Sequence, residues 1–121
     1  IQIPLFFGPT LGNKQSAQIQ REIADQNLKQ TEMELNTAFN STKEQYLKWR
    51  SSWNYYENAA LPLAEEQREG AVTAYREGAI DYVSFLQNIS DAFKIEVDAL
   101  QAFGNYLNSH YQLEYFLKTS N

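Results

Sequence analysis

The sequence predicts an all-α protein that folds as a long antiparallel coiled-coil helical hairpin. Its 121 residues include only three prolines and five glycines, and a chain so poor in turn residues forms long elements. Apolar and aromatic residues recur every seven positions in two runs, at about 14–76 and 81–117. Between the runs stands Gly78, and Asp81 follows it, an order typical of one helix ending and the next beginning.

The first thirteen residues have a different character. Residues 1–7, IQIPLFF, alternate weakly and are rich in β-forming types, which predicts the end of a strand. The next six, GPTLGN, supply turn residues, and Thr10 or Asn13 could cap the helix that follows. We therefore expect a short extended stub and turn at 1–13, and one helical hairpin domain at 14–121 that belongs to a larger protein.

The first run carries two rows of residues at sevenfold spacing. One row is Leu28, Leu35, Trp49, Tyr56 and Leu63, with Thr42 as its weak member, and the other is Phe39, Tyr46, Trp53 and Ala60. Together they have the 4-3 spacing of a coiled-coil seam. Pro62 removes a backbone donor, so we expect a kink or a local helix end near Asn58. The kink is favoured because apolar spacing resumes at Leu63.

The second run repeats the pattern, with Leu86, Phe93, Leu100 and Leu107 at intervals of seven. Folding the runs back at Gly78 opposes Trp53 to Phe103, and the same register opposes Tyr46 to His110. The register also pairs Leu63 with Phe93, Tyr56 with Leu100, Trp49 with Leu107 and Phe39 with Leu117. The predicted seam comprises Phe39, Tyr46, Trp49, Trp53, Tyr56, Leu63, Leu86, Phe93, Leu100, Phe103 and Leu107.

The two predicted helices differ in length. Residues 14–37 have no partner along the second run, and an isolated helix of such polar sequence gains little from burial. Its sparse apolar stripe, which includes Ile19, Ile23, Leu28 and Leu35, predicts contact with another chain or with a further segment.

The side-chain inventory opposes an enzyme. The chain has no cysteine and one histidine, and its net charge of −5 opposes nucleic-acid binding. His110 is expected to be structural, Met33 is the only methionine, and Glu96, Asp98 and Glu114 are scattered along the helix. We therefore predict no catalytic residue, no metal site and no cofactor.

The corner is the remaining candidate site. Two interpretations stay open, a plain hairpin turn and a docking or gating tip held away from the body by the helices. The residues concerned are Tyr75, Arg76, Glu77, Gly78, Ala79, Ile80 and Asp81.

Several motifs together resemble the C-terminal half of TolC-like outer-membrane efflux proteins. They are the order IPLFFG, a long polar helix, the segment LPLAEEQREGAVTAYREGAIDYVSFLQ and a helix ending in YLNSHYQLEYFL. The most specific element is Tyr75-x-x-Gly78 followed by the hydrophobic stretch 82–86. The stretch 61–64, Leu-Pro-x-Ala, resembles the heavy-metal and cation efflux branch.

The resemblance implies a homotrimer in the outer membrane of a Gram-negative bacterium, whose helices form a tunnel through the periplasm. Residues 1–7 would end a barrel strand, and residues 75–81 would form the tunnel entrance. There the chain would meet a periplasmic adaptor (membrane fusion) protein that links it to an inner-membrane efflux pump. The exported substrate would be a heavy metal or another cation.

A rival hypothesis comes from a different class of protein, a soluble coiled-coil scaffold or tether that binds another helical protein through its seam. Under either hypothesis we expect this segment by itself to self-associate, or to break near Pro62 and fold its free arm back. Both would cover the apolar stripe.

Overall fold

The computed structural model describes the backbone of residues 3–119 and the side chains of residues 12–119. Helix α1 is Ile3–Tyr55, and a π-helical turn, Tyr56–Ala60, follows it directly. Helix α2 is Leu61–Arg76, and helix α3 is Tyr82–Thr119. The predicted all-α hairpin is confirmed, since two long helical runs meet at the corner between Arg76 and Tyr82.

The chain divides into two compact units, one up to Phe39 and the other from Asn40 onward. In the first unit every described side chain from 12 to 38 is exposed. Side chains one helical turn apart interact on its surface. Lys29 forms an ion pair with Asp25 at 2.9 Å, and the Gln30 amide donates a hydrogen bond to Glu34 at 3.0 Å. Exposed pairs of this kind add only about 0.3–0.5 kcal/mol each to helix stability.

The predicted extended stub is wrong for the described residues, because α1 begins at Ile3 and runs through 3–13. The β-forming types of this stretch are a weak prior that the chain's context overrides. The described residues contain no strand with which it could pair, whereas a helix satisfies its backbone groups within one segment. Pro4 is tolerated because it lies in the first turn, where an N–H has no acceptor. Residues 1 and 2 lie outside the described part.

In the second unit, α2 and the end of α1 lie antiparallel to α3. The rings of Trp53 and Phe103 have centroids 4.7 Å apart, in the register that the sequence predicts. Nearer the corner, the Gln67 amide donates a hydrogen bond to the Asn88 side chain at 3.2 Å. Beside it, Arg68 on α2 forms an ion pair with Glu96 on α3.

A cluster of aromatic rings joins the two helices at the end of the hairpin away from the corner. The Tyr46 ring lies 5.9 Å from both the Tyr106 and the His110 rings. The hydrogen bond between the two phenols, and next the Coulomb effect of Tyr46, raise the pKa of Tyr106 above its ordinary value. His110 Nε2 lies 3.6 Å from Glu114 on the same helix. The histidine therefore packs in the seam opposite Tyr46, where the register places it.

The core of this unit is made of small side chains. The buried residues are Ala60, Ala64, Ala71, Ala92, Ala99, Ala102 and Ser109. Those on α3 follow a 4-3 spacing, so they form one stripe, which we call the inner face of α3 (Ala92, Ala99, Ala102 and Ser109). The usual distance between the axes of two packed helices is about 8–10 Å, and alanine at the contact favours the smaller distances in this range. The aromatic residues Trp49, Trp53 and Tyr56 flank this stripe and are half-buried.

Five predicted seam residues are exposed. Leu63, Leu86, Phe93 and Leu100 are the ones that the structure corrects, so the pairs Leu63–Phe93 and Tyr56–Leu100 do not form a buried core. Phe103 is 37% exposed, but its ring still contacts Trp53. On α3 the row of seven that enters the hairpin is the alanine row, and the row of large residues faces away. Sequence periodicity was applied only to the row of large residues, so the alanine row that packs inside was missed.

Pro62 does not break the helix. Ala60 and Leu61 keep right-handed helical dihedral angles, and the chain passes from the π-turn into α2 without interruption. The expected local end near Asn58 is thus replaced by a π-turn just before the proline. Trp49 and Tyr56 occupy one row of the seam at sevenfold spacing. The next buried residue of that row is Ala64, which follows Tyr56 by eight residues instead of seven.

Candidate functional site

The corner is a fully hydrogen-bonded helix end. Gly78 has a φ of 76°, the left-handed conformation that glycine adopts without a steric penalty. Its N–H donates to the Tyr75 carbonyl at 3.1 Å, and the Ala79 N–H donates to the Ala74 carbonyl at 2.8 Å. These two bonds define a Schellman motif, which satisfies carbonyl groups that the end of α2 would otherwise leave without donors.

Asp81 begins the returning helix. Its carboxylate accepts a hydrogen bond from the Ser84 N–H at 2.8 Å, and its carbonyl accepts the first helical bond, from the Phe85 N–H at 3.0 Å. Hydrogen bonds from Ser84, first through its side chain and next through its backbone, lower the pKa of Asp81. Asp81 is therefore an N-cap, one of the two roles that the sequence left open for it.

Three aromatic rings brace the corner from one side. Tyr75 on α2 stacks on Phe85 of α3, with centroids 4.8 Å apart and ring planes 21° apart. The Tyr82 ring lies 6.1 Å from Tyr75, so it extends the cluster toward the turn. Because the rings join both helices within one turn of the corner, they fix the direction in which the tip points.

The predicted tip residues lie together on this braced corner. Six of them are exposed and Ile80 is half-buried, so the turn presents its backbone and its charged side chains outward. Tyr82, Val83 and Leu86 add exposed apolar surface beside it. The corner therefore exposes charged side chains and apolar side chains next to each other.

A second exposed surface runs along α3 from this tip. We call it the outer face of α3 (Tyr82, Leu86, Phe93, Val97, Leu100 and Tyr111). Leu100 is 71% exposed and Phe93 63% exposed, although both are large apolar residues. At 3.6 residues per turn, the outer face is centred about 150° around the helix from the inner face. One helix thus presents two apolar stripes with coiled-coil spacing.

The outer face was missed as a separate surface by the sequence argument. Its members Leu86, Phe93 and Leu100 were assigned to the hairpin seam. The signal that separates the faces is residue size, because alanines at 92, 99 and 102 form a second periodic row that allows closer helix packing.

Within the described residues, no three or more histidine, aspartate or glutamate side chains come together in a group that could hold a metal ion. Among the helices at 3–119, none combines the length and the apolar character that a membrane span requires. The surfaces available to a partner are the tip, the outer face of α3 and the exposed helix at 12–38.

No protein-family model, no curated protein and no solved structure matches this chain.

Proposed function

We propose that this chain is a tunnel-wall segment of a TolC-like outer-membrane efflux channel, placed in the periplasm and assembled as a homotrimer in the complete protein. The observation that carries the proposal is that helix α3 has two apolar faces, one buried in the hairpin and one exposed. A hairpin that stands alone needs one apolar face, whereas a hairpin in a closed wall needs a second face for its neighbour. The inner face serves the hairpin, and the outer face remains for the adjacent hairpin.

Exposure of the N-terminal unit supports the same proposal. Ile19, Ile23, Leu28, Met33 and Leu35 are all more than half exposed, which is unusual for apolar residues spaced along one helix. In a wall of packed helices this stretch would lie against a further helix. A neighbouring segment of the complete protein is the expected occupant.

The tip supports docking to a helical adaptor. Its Schellman turn, its Asp81 cap and its ring cluster hold Tyr75 and the turn residues in one conformation before any partner arrives. A preorganised surface loses little conformational freedom on binding, so a small contact area can suffice. The adaptor would in turn connect the channel to an inner-membrane pump.

The exported substrate we propose is a heavy metal or another cation. The chain carries a net charge of −5, and a tunnel wall with an excess of carboxylates concentrates cations by Coulomb attraction. Such a wall conducts without catalysis. The selection of one metal would occur elsewhere in the system.

The direct test uses the native gene in a Gram-negative host that lacks its own metal efflux channel. Cells that express the gene with its pump and adaptor should tolerate raised zinc, cobalt or copper concentrations, and a tip variant with Tyr75→Ala and Gly78→Ala should lose this tolerance. A variant with Gly70→Ala, which changes an exposed glycine within α2, is the matched control and should keep it. Tolerance that is unchanged in the tip variant would contradict a role of the tip in docking.

The scaffold hypothesis predicts a different result in the same system. The outer face would then bind a helical protein of another kind, and removal of the gene would leave metal tolerance unchanged. The sequence of the native gene before Ile1 separates the two hypotheses. A second strand-helix-turn-helix repeat and an export signal there would support the channel.

A further inference from the structure

The π-turn lies against the only proline inside the hairpin. In an uninterrupted α-helix the ring of Pro62 would collide with the Asn58 carbonyl, and its nitrogen could donate no hydrogen bond to it. In the structure the turn before Pro62 is widened, and the Leu61 N–H donates to the Tyr56 carbonyl five residues back. The extra residue in this turn gives the backbone a way past the proline without a break.

Asn58 supports the widened turn from within. Its side-chain amide donates to the Asn54 carbonyl at 2.9 Å and to the Asn54 side-chain oxygen at 2.8 Å. In α-helical geometry that carbonyl is the acceptor for the backbone N–H of residue 58. The Asn58 side chain thus ties the middle of the widened turn to the last turn of α1.

The inserted residue changes which side of α2 meets α3. Ala64 is 0% exposed, whereas its neighbour Leu63, which strict sevenfold spacing would place in the seam, is 60% exposed. One residue corresponds to about 100° of rotation around a helix. Without the insertion, the segment beyond Pro62 would present Leu63 to α3, and Ala64 and Ala71 would turn away.

We infer that Pro62 and Asn58 form a phase-setting device, a π-turn that rotates α2 so that its alanines face α3 and the tip points in one fixed direction. Its effect reaches the corner because α2 continues from Leu61 to Arg76 without another irregularity. Tyr75 and the turn residues are therefore oriented by a feature that lies four turns away. The inference rests on the hairpin geometry and is independent of the proposed function.

Pairs of introduced cysteines report which side of α2 faces α3. They can be interpreted without interference because the chain has no cysteine of its own. Ala64 and Ala92 lie between two contacts that join the helices, Trp53–Phe103 and Gln67–Asn88, and both are fully buried. Ala64→Cys with Ala92→Cys should therefore form an intramolecular disulfide, seen as a shifted band at monomer mass. Leu63→Cys with Ala92→Cys is the matched control and should not, since its side chains diverge.

The device is then removed by Pro62→Ala together with Asn58→Ala. We expect the 64–92 disulfide to be lost and the 63–92 disulfide to appear. Deletion of Ala59 in that background removes the inserted residue and should restore the 64–92 disulfide, since Ala64 then follows Tyr56 by seven residues. The deletion should also restore helix content, measured by circular dichroism, if the double variant alone is poorly folded.

Two results would overturn the inference. The first is a 64–92 disulfide that forms equally well after Pro62 and Asn58 are replaced, because alanine packing alone would then set the phase. The second is a deletion of Ala59 that fails to restore either the disulfide or the fold.

Discussion

The indole ring of Trp53 lies 4.7 Å from the ring of Phe103, with the two planes inclined at 48°. This contact fixes the register of α1 against α3, and the contact of Tyr46 with His110, whose rings lie 5.9 Å apart, follows from the same count. Aromatic pairs in such tilted geometry contribute about 0.5–1.5 kcal/mol beyond their buried area. The contact is thus both a marker of the register and a source of hairpin stability.

Trp53→Ala should lower the free energy of unfolding by about 2 kcal/mol, less than the 3–5 kcal/mol typical of a fully buried aromatic residue, because the indole is half-buried. Urea denaturation followed by circular dichroism measures the change. Tyr115→Ala removes an exposed aromatic residue from α3 and should stay within about 0.5 kcal/mol of the parent. Equal losses in the two variants would contradict the assigned packing.

Residues 63 and 64 should respond in opposite ways to a change of size. Ala64→Leu places three extra carbons in a site with no exposed surface, so it should destabilise the hairpin by about 1–3 kcal/mol. Leu63→Ala removes an exposed side chain and should change stability by about 0.5 kcal/mol or less. If Leu63→Ala proved the more harmful change, the buried alanine seam would be the wrong assignment.

Two glycines provide a matched test of the corner. An added Cβ meets no atom within 4 Å at Gly78 or at Gly70, so each substitution reports on the backbone alone. Gly78→Ala should destabilise by about 1 kcal/mol, because alanine disfavours a φ of 76°. Gly70→Ala should stabilise α2 by about 0.5–1 kcal/mol. Thermal unfolding should therefore shift down for the first variant and up for the second.

The Asp81 cap predicts a dependence of stability on pH. The pKa of this carboxyl is lowered in the folded chain, so its stabilising effect is full above the ordinary aspartate pKa of about 3.9 and is lost as the pH falls through the lower folded value. Asp81→Asn keeps a capping acceptor that does not titrate in this range. The difference in stability between the parent and Asp81→Asn should shrink as the pH is lowered from 6 to 3. A difference that is constant across this range would contradict the role of the carboxylate.

Much of the hairpin could be predicted from the sequence, because its determinants are local. Gly78 and Asp81 are the residue types that helix ends require, and folding the chain back at Gly78 opposes Trp53 to Phe103, which are each 25 residues from it. The choice of inner face could not be predicted in the same way. Both rows on α3 repeat every seven residues, and hydrophobicity favours Phe93 and Leu100, whereas close packing of two backbones favours Ala92 and Ala99.

The π-turn lay beyond the sequence pattern for a related reason. Pro62 identified where the helix would be disturbed, but a kink, a break and an inserted residue all relieve the same collision. The hydrogen bond from the Leu61 N–H to the Tyr56 carbonyl, and the burial of Ala64 rather than Leu63, separate the three. The prediction of an extended stub was wrong at 3–13 because β-propensity says nothing about whether a partner strand is present.

The outer face of α3 is the surface on which the proposed function depends most. Its apolar side chains are larger than those of the inner face, and they line one side of a helix of 38 residues, about 57 Å long. A surface of that extent and spacing suits another helix, with large side chains interdigitating as in a coiled coil. Leu100 is its most exposed leucine, so a charge at that position should oppose the contact directly.

Sedimentation velocity of the purified chain across a range of concentrations tests this claim most directly. The account predicts oligomers of the parent chain that dissociate with Leu100→Glu, whereas Gln101→Glu, which adds the same charge at the next exposed position, leaves the association unchanged. A parent chain that stays monomeric at high concentration, or two glutamate variants that behave alike, would contradict it.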